Sequence, residues 1–311
     1  MATNPTAGRS LHGNIASPET ATEAAVEWTT EDFMAAEPYP MPEITDEMIQ
    51  EFLDATASPA VRGGSSTPGG PPSAGGPGDG TAEPLAGHPY PPPFNEHEVL
   101  VPYTTYPFCT IGKLFFKQGG GSWQASAAAI GKNGLWTAGH CVHSGNGQPS
   151  GWSTNFSFVP AYKDHTAPFG QFTARQLCCR TNWYQHGNPG GLFEDMGAAI
   201  MNPLNGRMLS QVVGWLGFAW NFPRNQVWTS LGYHGGRMWQ DTAPYANDGS
   251  VPGSPPTIGI GGSMTDSGGP WVLGLGSTNY VNGNNSYKQP LEIYSPYFGD
   301  NAHSLKQEVV K

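Results

Sequence analysis

From about Val99 to its C-terminus the sequence predicts an all-β fold. Short apolar runs recur there: Thr110–Phe116, Ala125–Ile130, Leu135–Thr137, Phe156–Val159, Met196–Met201, Gln211–Leu216, Gln226–Leu231, Trp271–Leu275 and Leu291–Tyr294. Clusters of Gly, Pro and Asn separate them, the pattern of strands joined by turns. The 43 glycines and 30 prolines of the 311 residues disfavour long helices, because one loosens the helical backbone and the other removes a donor. A stretch of about 210 residues suits one all-β unit or two small barrels.

Taken in order, residues 1–62 form an acidic segment with one readable helix. Thr45 is its N-cap, Asp46 and Glu47 suit the positive helix start, and Ile44 staples onto Ile49. Met48, Ile49, Phe52 and Leu53 then make an apolar stripe. Residues 63–98 read as a linker; Gly and Pro fill 18 of the 31 positions from 63 to 93, leaving too little apolar area to pack. Residues 99–311 carry the strand pattern, and Leu305–Val310 reads as a short closing helix.

Charge divides along the same border. Residues 1–100 hold 15 of the 24 acids against Arg9 and Arg62, a balance of −13, while the remainder balances at +3. The two parts are electrostatically complementary. The basic residues of the larger part are scattered, so no nucleic-acid partner is expected. No apolar run reaches the ~18 residues of a membrane helix. Met1-Ala2-Thr3-Asn4-Pro5 lacks the charged and apolar regions of a secretory signal; either a signal has been removed, or export is non-standard, or the protein stays inside.

Two motifs carry chemistry. Thr265-Asp266-Ser267-Gly268-Gly269-Pro270 places a serine in a glycine-flanked turn, and Thr137-Ala138-Gly139-His140-Cys141 places a histidine after small residues. A serine hydroxyl becomes a good nucleophile when a histidine accepts its proton, and a carboxylate must orient that histidine. Asp195, in Glu194-Asp195-Met196-Gly197-Ala198-Ala199-Ile200, supplies an acid just before a strand-like run. The chain order His140, Asp195, Ser267 differs from that of α/β-hydrolases, which also need glycine where Thr265 stands.

On these residues the chain resembles the trypsin/chymotrypsin-fold serine peptidases, in the bacterial-type branch related to the glutamyl endopeptidases. The likeness spans roughly residues 100–311, from Ile111-Gly112-Lys113-Leu114-Phe115-Phe116 to Ser295-Pro296-Tyr297-Phe298-Gly299. It implies two six-stranded antiparallel β-barrels with a short C-terminal helix, preceded by a largely disordered acidic segment. It also implies a serine endopeptidase, secreted and free of metal and cofactor, acting as a monomer on polypeptides. Ser267 is the implied nucleophile, His140 the base and Asp195 its orienting acid. The backbone N–H groups of Thr265 and Ser267 form the implied oxyanion hole, with Thr265 standing where the family has glycine. Gly261 and Gly262 would line one wall of the primary pocket, with Asn285-Ser286-Tyr287 facing them and no carboxylate at the base. Asn285 stands where glutamyl endopeptidases carry histidine.

Asp266 in such enzymes often pairs with an amine released by cleavage, which would make residues 1 to about 98 an intramolecular propeptide; Arg237 is an equally available partner. The cysteine after the catalytic histidine has its usual partner on the preceding strand, but that strand reads Ala125-Ser126-Ala127-Ala128-Ala129. Cys141 then pairs with Cys109, Cys178 or Cys179 or stays reduced, and Cys178 could bridge Cys179 in a strained geometry. Among the other candidates, His143 reads as a solvent-facing loop residue and Asp164 as the alternative acid. His186, His234 and His303 read as surface residues, and Trp136 and Trp271 as core. The competing functions are a non-catalytic binding or adhesion module on the same fold, and an intracellular protein binding partners through its Pro-rich segment.

Overall fold

The structure is a computed structural model and describes residues 13–19, 27–45, 64–71, 93–224, 226–246 and 257–310. The strands in chain order are β1 (Asn14–Ala16), β2 (Glu37–Pro38), β3 (Ser65–Thr67), β4 (Asn95–Glu98), β5 (Ile111–Gln118), β6 (Gly121–Gly131), β7 (Gly134–Thr137), β8 (Thr154–Pro160), β9 (Phe172–Arg180), β10 (Gly197–Met201), β11 (Gly217–Trp220), β12 (Trp228–His234), β13 (Arg237–Ala243), β14 (Thr257–Gly261), β15 (Pro270–Leu273), β16 (Tyr280–Asn284), β17 (Tyr287–Gln289) and β18 (Glu292–Pro296).

The first half closes into a barrel. Its strand order is β9-β10-β7-β6-β5-β8, and β8 pairs back onto β9. β5 is buried on both faces, with Ile111, Leu114, Phe115 and Phe116 all at 0% exposure, because one face fills the barrel and the other meets the N-terminal segment and the second half. The second half pairs β11, β16, β15, β12 and β13 in one sheet, with β14-β18-β17 packed as another. Trp136 makes edge contacts with Phe218 and Phe298 at centroid distances of 4.9 and 5.1 Å, a geometry that aromatic quadrupoles favour. This cluster joins the halves. The closing helix is longer than the sequence suggests, running Asp300–Val309, with Ala302, Leu305 and Val309 buried.

The Gln211–Leu216 run is not a strand. Leu209–Val213 is a short helix whose Leu209 and Val213, four apart on one face, are buried. Gly214, at φ 76°, ends it, and the strand begins only at Gly217.

The described stretches of the first hundred residues lie on the two-part body. β1 adds to β9, β2 to β6, β3 to β11 and β4 to β13. A helix at Thr30–Ala35, closed by a capping box between Thr29 and Asp32, presents Phe33 to Phe115 at 4.3 Å. Trp28 packs on the same ring at 5.6 Å. The helix expected after Thr45 falls on residues 46–53, outside the described residues.

Candidate active site

His140, Asp195 and Ser267 come from three connections at the boundary between the halves. His140 lies in the one-turn helix Gly139–Val142 after β7. Asp195 follows a 3-10 turn at Leu192–Glu194 and precedes β10. Ser267 lies between β14 and β15. Glycine at 139 is what permits the approach: a Cβ there would stand 2.8 Å from both Asp195 Oδ1 and the Trp183 ring.

His140 Nδ1 meets Asp195 Oδ2 at 2.7 Å, and its backbone N–H donates to Asp195 Oδ1 at 2.7 Å. Both residues are buried. Asp195 takes a further hydrogen bond on Oδ2 from the Ser286 hydroxyl, at 2.5 Å, and one on its backbone carbonyl from the Asn284 amide, at 3.2 Å. Ser286, expected on the pocket wall, thus stands behind the acid. Burial alone would disfavour a charged His140 ring, but the Asp195 carboxylate outweighs it and holds the imidazole up to about 10. With Nδ1 committed to Asp195, the other ring nitrogen is left buried. His140 Nε2 has no hydrogen-bond partner among the described residues.

Ser267 is positioned by its backbone: Ser126 N–H donates to its carbonyl at 2.8 Å. Next to it Gly268 sits at φ 78°, where a Cβ would come within 2.1 Å of Thr137 Oγ1, so only glycine fits. Thr265 is not among the residues with positive φ, so its backbone needs no glycine. The Ser267 hydroxyl donates to the carbonyl of Tyr39, at 3.1 Å.

Tyr39 belongs to the N-terminal segment. Its ring stacks on His140 at 5.4 Å and 18°, with Trp123 and Phe116 at 5.2 and 5.4 Å. Its hydroxyl donates to Gln118 Oε1 at 2.6 Å, and burial pushes its ionisation well above the usual range. Gln118 in turn donates to the His140 carbonyl at 3.1 Å. The segment continues over the site. Pro40 bridges Asp266, Glu43 bridges Lys288, Pro42 O accepts from Lys288 N–H at 2.9 Å, and Ile44 N–H donates to Lys288 O at 3.2 Å. Glu43 also pairs with the Lys288 ammonium at 3.1 Å.

Asp266 is not paired with Arg237. It accepts from the Ser126 hydroxyl and, at 3.0 Å, from Tyr233 N–H, and burial raises its carboxyl to about 7. Arg237 is engaged elsewhere, with Asp164 at 2.8 Å and Glu98 at 2.9 Å. That also places Asp164 on the surface. His143 is not solvent-facing: it is 0% exposed, between Trp152 and Tyr184, with Nε2 on Gln148 O and Nδ1 accepting from Gly145 N–H.

The pocket residues are distributed. Gly261 pairs with Glu292 across β14 and β18, and Gly262 lies against Asp241 and Ile293. Asn285 is buried, its Oδ1 accepting from Ser230 and from the Trp271 indole, each at 2.7 Å. Met264 fills the space between Gly232 and Asn285. Glu292 is a buried carboxylate that receives the Tyr294 hydroxyl at 2.6 Å.

No disulfide joins any two of the four cysteines. Cys178 and Cys179 are consecutive on β9 and point to opposite faces, one into each core cluster. Cys109 instead donates its thiol to the Val213 carbonyl at 3.1 Å. No group of His, Cys, Asp and Glu suited to a metal occurs among the described residues.

No protein-family model matches the chain, and no curated protein does. Solved structures do. The protease Anisep from Arthrobacter nicotinovorans is 34% identical, with a TM-score of 0.59 over 65% of this chain and 95% of that one. The thermostable serine protease AL20, from an extremophilic microorganism, is 31% identical, with a TM-score of 0.58 over 64% of this chain and 96% of that one. A Glu endopeptidase, solved in complex with MPD, shares the fold at 15% identity and a TM-score of 0.55, over 70% of this chain and 97% of that one. The chain belongs to the trypsin/chymotrypsin-fold serine peptidases.

Proposed function

We propose that this protein is the precursor of a secreted serine endopeptidase. The observation that carries the reading is the buried contact between His140 Nδ1 and Asp195 Oδ2 at 2.7 Å, with Gly268 of the Ser267 turn packed against Thr137 and Ala138 just before His140. With the ring in its neutral form, Ser267 Oγ attacks the scissile carbonyl carbon while His140 Nε2 takes its proton. The negative oxygen that forms is held by the N–H groups of Thr265 and Ser267. The C–N bond then breaks as His140 returns the proton to the leaving amine, and an acyl-enzyme remains. Water attacks this ester with His140 again as base, and Ser267 recovers its proton. Asp195 fixes the tautomer throughout, and the Ser286 hydroxyl fixes Asp195. No step calls on a metal or a cofactor. Residues 1 to about 98 act as the propeptide.

Labelling with a fluorophosphonate probe tests the reading. Full-length protein should label slowly, protein trimmed near residue 98 rapidly, and Ser267→Ala not at all. Wild-type protein that stays unlabelled before and after trimming would sink the enzyme assignment.

A further inference from the structure

Residues 37–45 cross the candidate catalytic centre, and the direction in which they cross it is informative. β2 runs parallel to β6, pairing Glu37 with Trp123 and Pro38 with Gln124. Tyr39 then covers His140, Pro40 lies against Asp266, and Glu43 pairs in parallel with Lys288. Met41 and Ile44 are buried at 4% and 6% exposure.

A peptide about to be cut must offer its leaving nitrogen to His140, because that imidazole protonates the departing amine. The leaving nitrogen, the first atom C-terminal to the cut, must therefore lie on the His140 side of the nucleophile. In this segment the order is opposite. The carbonyl that meets Ser267 is that of Tyr39. Its amide nitrogen belongs to Pro40, seated against Asp266, while the residue stacked on His140 is Tyr39 itself, on the acyl side. The Ser267 hydrogen is spent on the Tyr39 amide oxygen, and Pro40, which carries the nitrogen of that bond, is bridged to Asp266.

We propose that Glu37–Thr45 is a reverse-threaded inhibitory strand: it fills the substrate cleft with its chain direction opposite to that of a cleavable peptide, and so blocks the enzyme without becoming its substrate. This rests on the peptidase reading and specifies how that site is regulated. Three anchors hold the strand: the Tyr39 ring between His140 and Trp123, its hydroxyl on Gln118, and the backbone pairing of residues 42–44 with Lys288. A peptide of the same sequence threaded forward would put Glu43, not Tyr39, on the His140 side.

Direction can be read without catalysis. In full-length Ser267→Ala protein, Glu43→Cys with Lys288→Cys pairs bridge-partner positions and should form a disulfide on mild oxidation. Glu37→Cys with Lys288→Cys, the pair that forward threading would bring together, should not. Disulfide formation in the second pair and not the first overturns the proposal, as does formation in neither. A second arm uses the active serine: Tyr39→Ala full-length protein should label with fluorophosphonate at least ten-fold faster than wild type, and wild-type protein incubated for days should show no cut within residues 37–45. Self-cleavage inside that stretch overturns the proposal while leaving the peptidase assignment intact. Absence of labelling in trimmed wild type would instead strike that assignment and leave the cross-linking result standing.

Discussion

At the residue scale the centre is built around one carboxylate. Asp195 is fully buried and satisfied by His140 through ring and backbone and by Ser286. Hydrogen bonds to charged acceptors contribute about 1.5–3 kcal/mol, so Ser286→Ala in the trimmed enzyme should lower kcat by roughly 10- to 100-fold with KM little changed. Asp195→Asn should cost more, on the order of 10⁴-fold in kcat, because the amide stabilises the wrong tautomer. The ion pair also has a pH signature. His140 is raised from the ordinary histidine value of 6.5 to about 10. Its contribution to folding is then fully present below 6.5 and lost as pH rises through 10. The Tm of full-length Ser267→Ala protein should therefore fall between pH 7 and 10 by more than that of the same protein carrying His140→Gln. Equal slopes in the two thermal-unfolding series would refute this. His140 and Asp195 were both legible in the sequence, since a histidine after small residues and an acid before a strand are local patterns. Tyr39 was not, because its contacts with His140 and Ser267 join positions about a hundred and more than two hundred residues apart, and nothing in Pro38-Tyr39-Pro40 announces them. Ser286 reads as pocket wall because a sequence does not say which way a serine on a turn points.

At the element scale, legibility followed how completely each strand is buried. β5 and β6, apolar over most of their length, stand out in the sequence. β9 and β13 do not, for their burial is interrupted by Thr173, Arg175 and Gln176 in one and Gln240 and Thr242 in the other; β13 even buries Asp241. The Leu209–Val213 helix misled for a related reason: two apolar residues at a spacing of four, within a short Gly-ended run, fit either period. The turn that carries His140 is sensitive to a single change. Gly139→Ala would put a methyl 2.8 Å from Asp195 Oδ1 and from the Trp183 ring, closer than real Cβ contacts. Overpacking of this kind costs about 1–3 kcal/mol, and it presses directly on the carboxylate that orients His140. The variant should fold with a lowered denaturation midpoint, and when trimmed it should lose at least 100-fold in kcat/KM. Retention of full activity would show that the turn is more compliant than its packing indicates.

At the scale of the whole molecule, the acidic N-terminal part meets a mildly basic body, and this invites the idea that charge holds the inhibitory strand in place. The contacts argue otherwise. The Glu43–Lys288 pair has its carboxylate 78% exposed, and such surface pairs contribute about 0–1 kcal/mol and less in salt. The apolar anchors are larger: Trp28 and Phe33 are 4% and 5% exposed on Phe115, and truncating a buried aromatic side chain costs about 3–5 kcal/mol in a well-packed core. Latency should then respond weakly to ionic strength and strongly to packing. Raising salt from about 50 to about 500 mM shortens the screening length severalfold, and should accelerate fluorophosphonate labelling of the full-length protein by no more than a few-fold. Phe33→Ala, which touches neither the cleft nor the candidate triad, should accelerate it by ten-fold or more at fixed salt, with the labelling rate of trimmed protein unchanged. The reverse order of the two effects would mean that the charge asymmetry visible in the sequence, rather than the aromatic anchors visible only in the fold, keeps the protein latent.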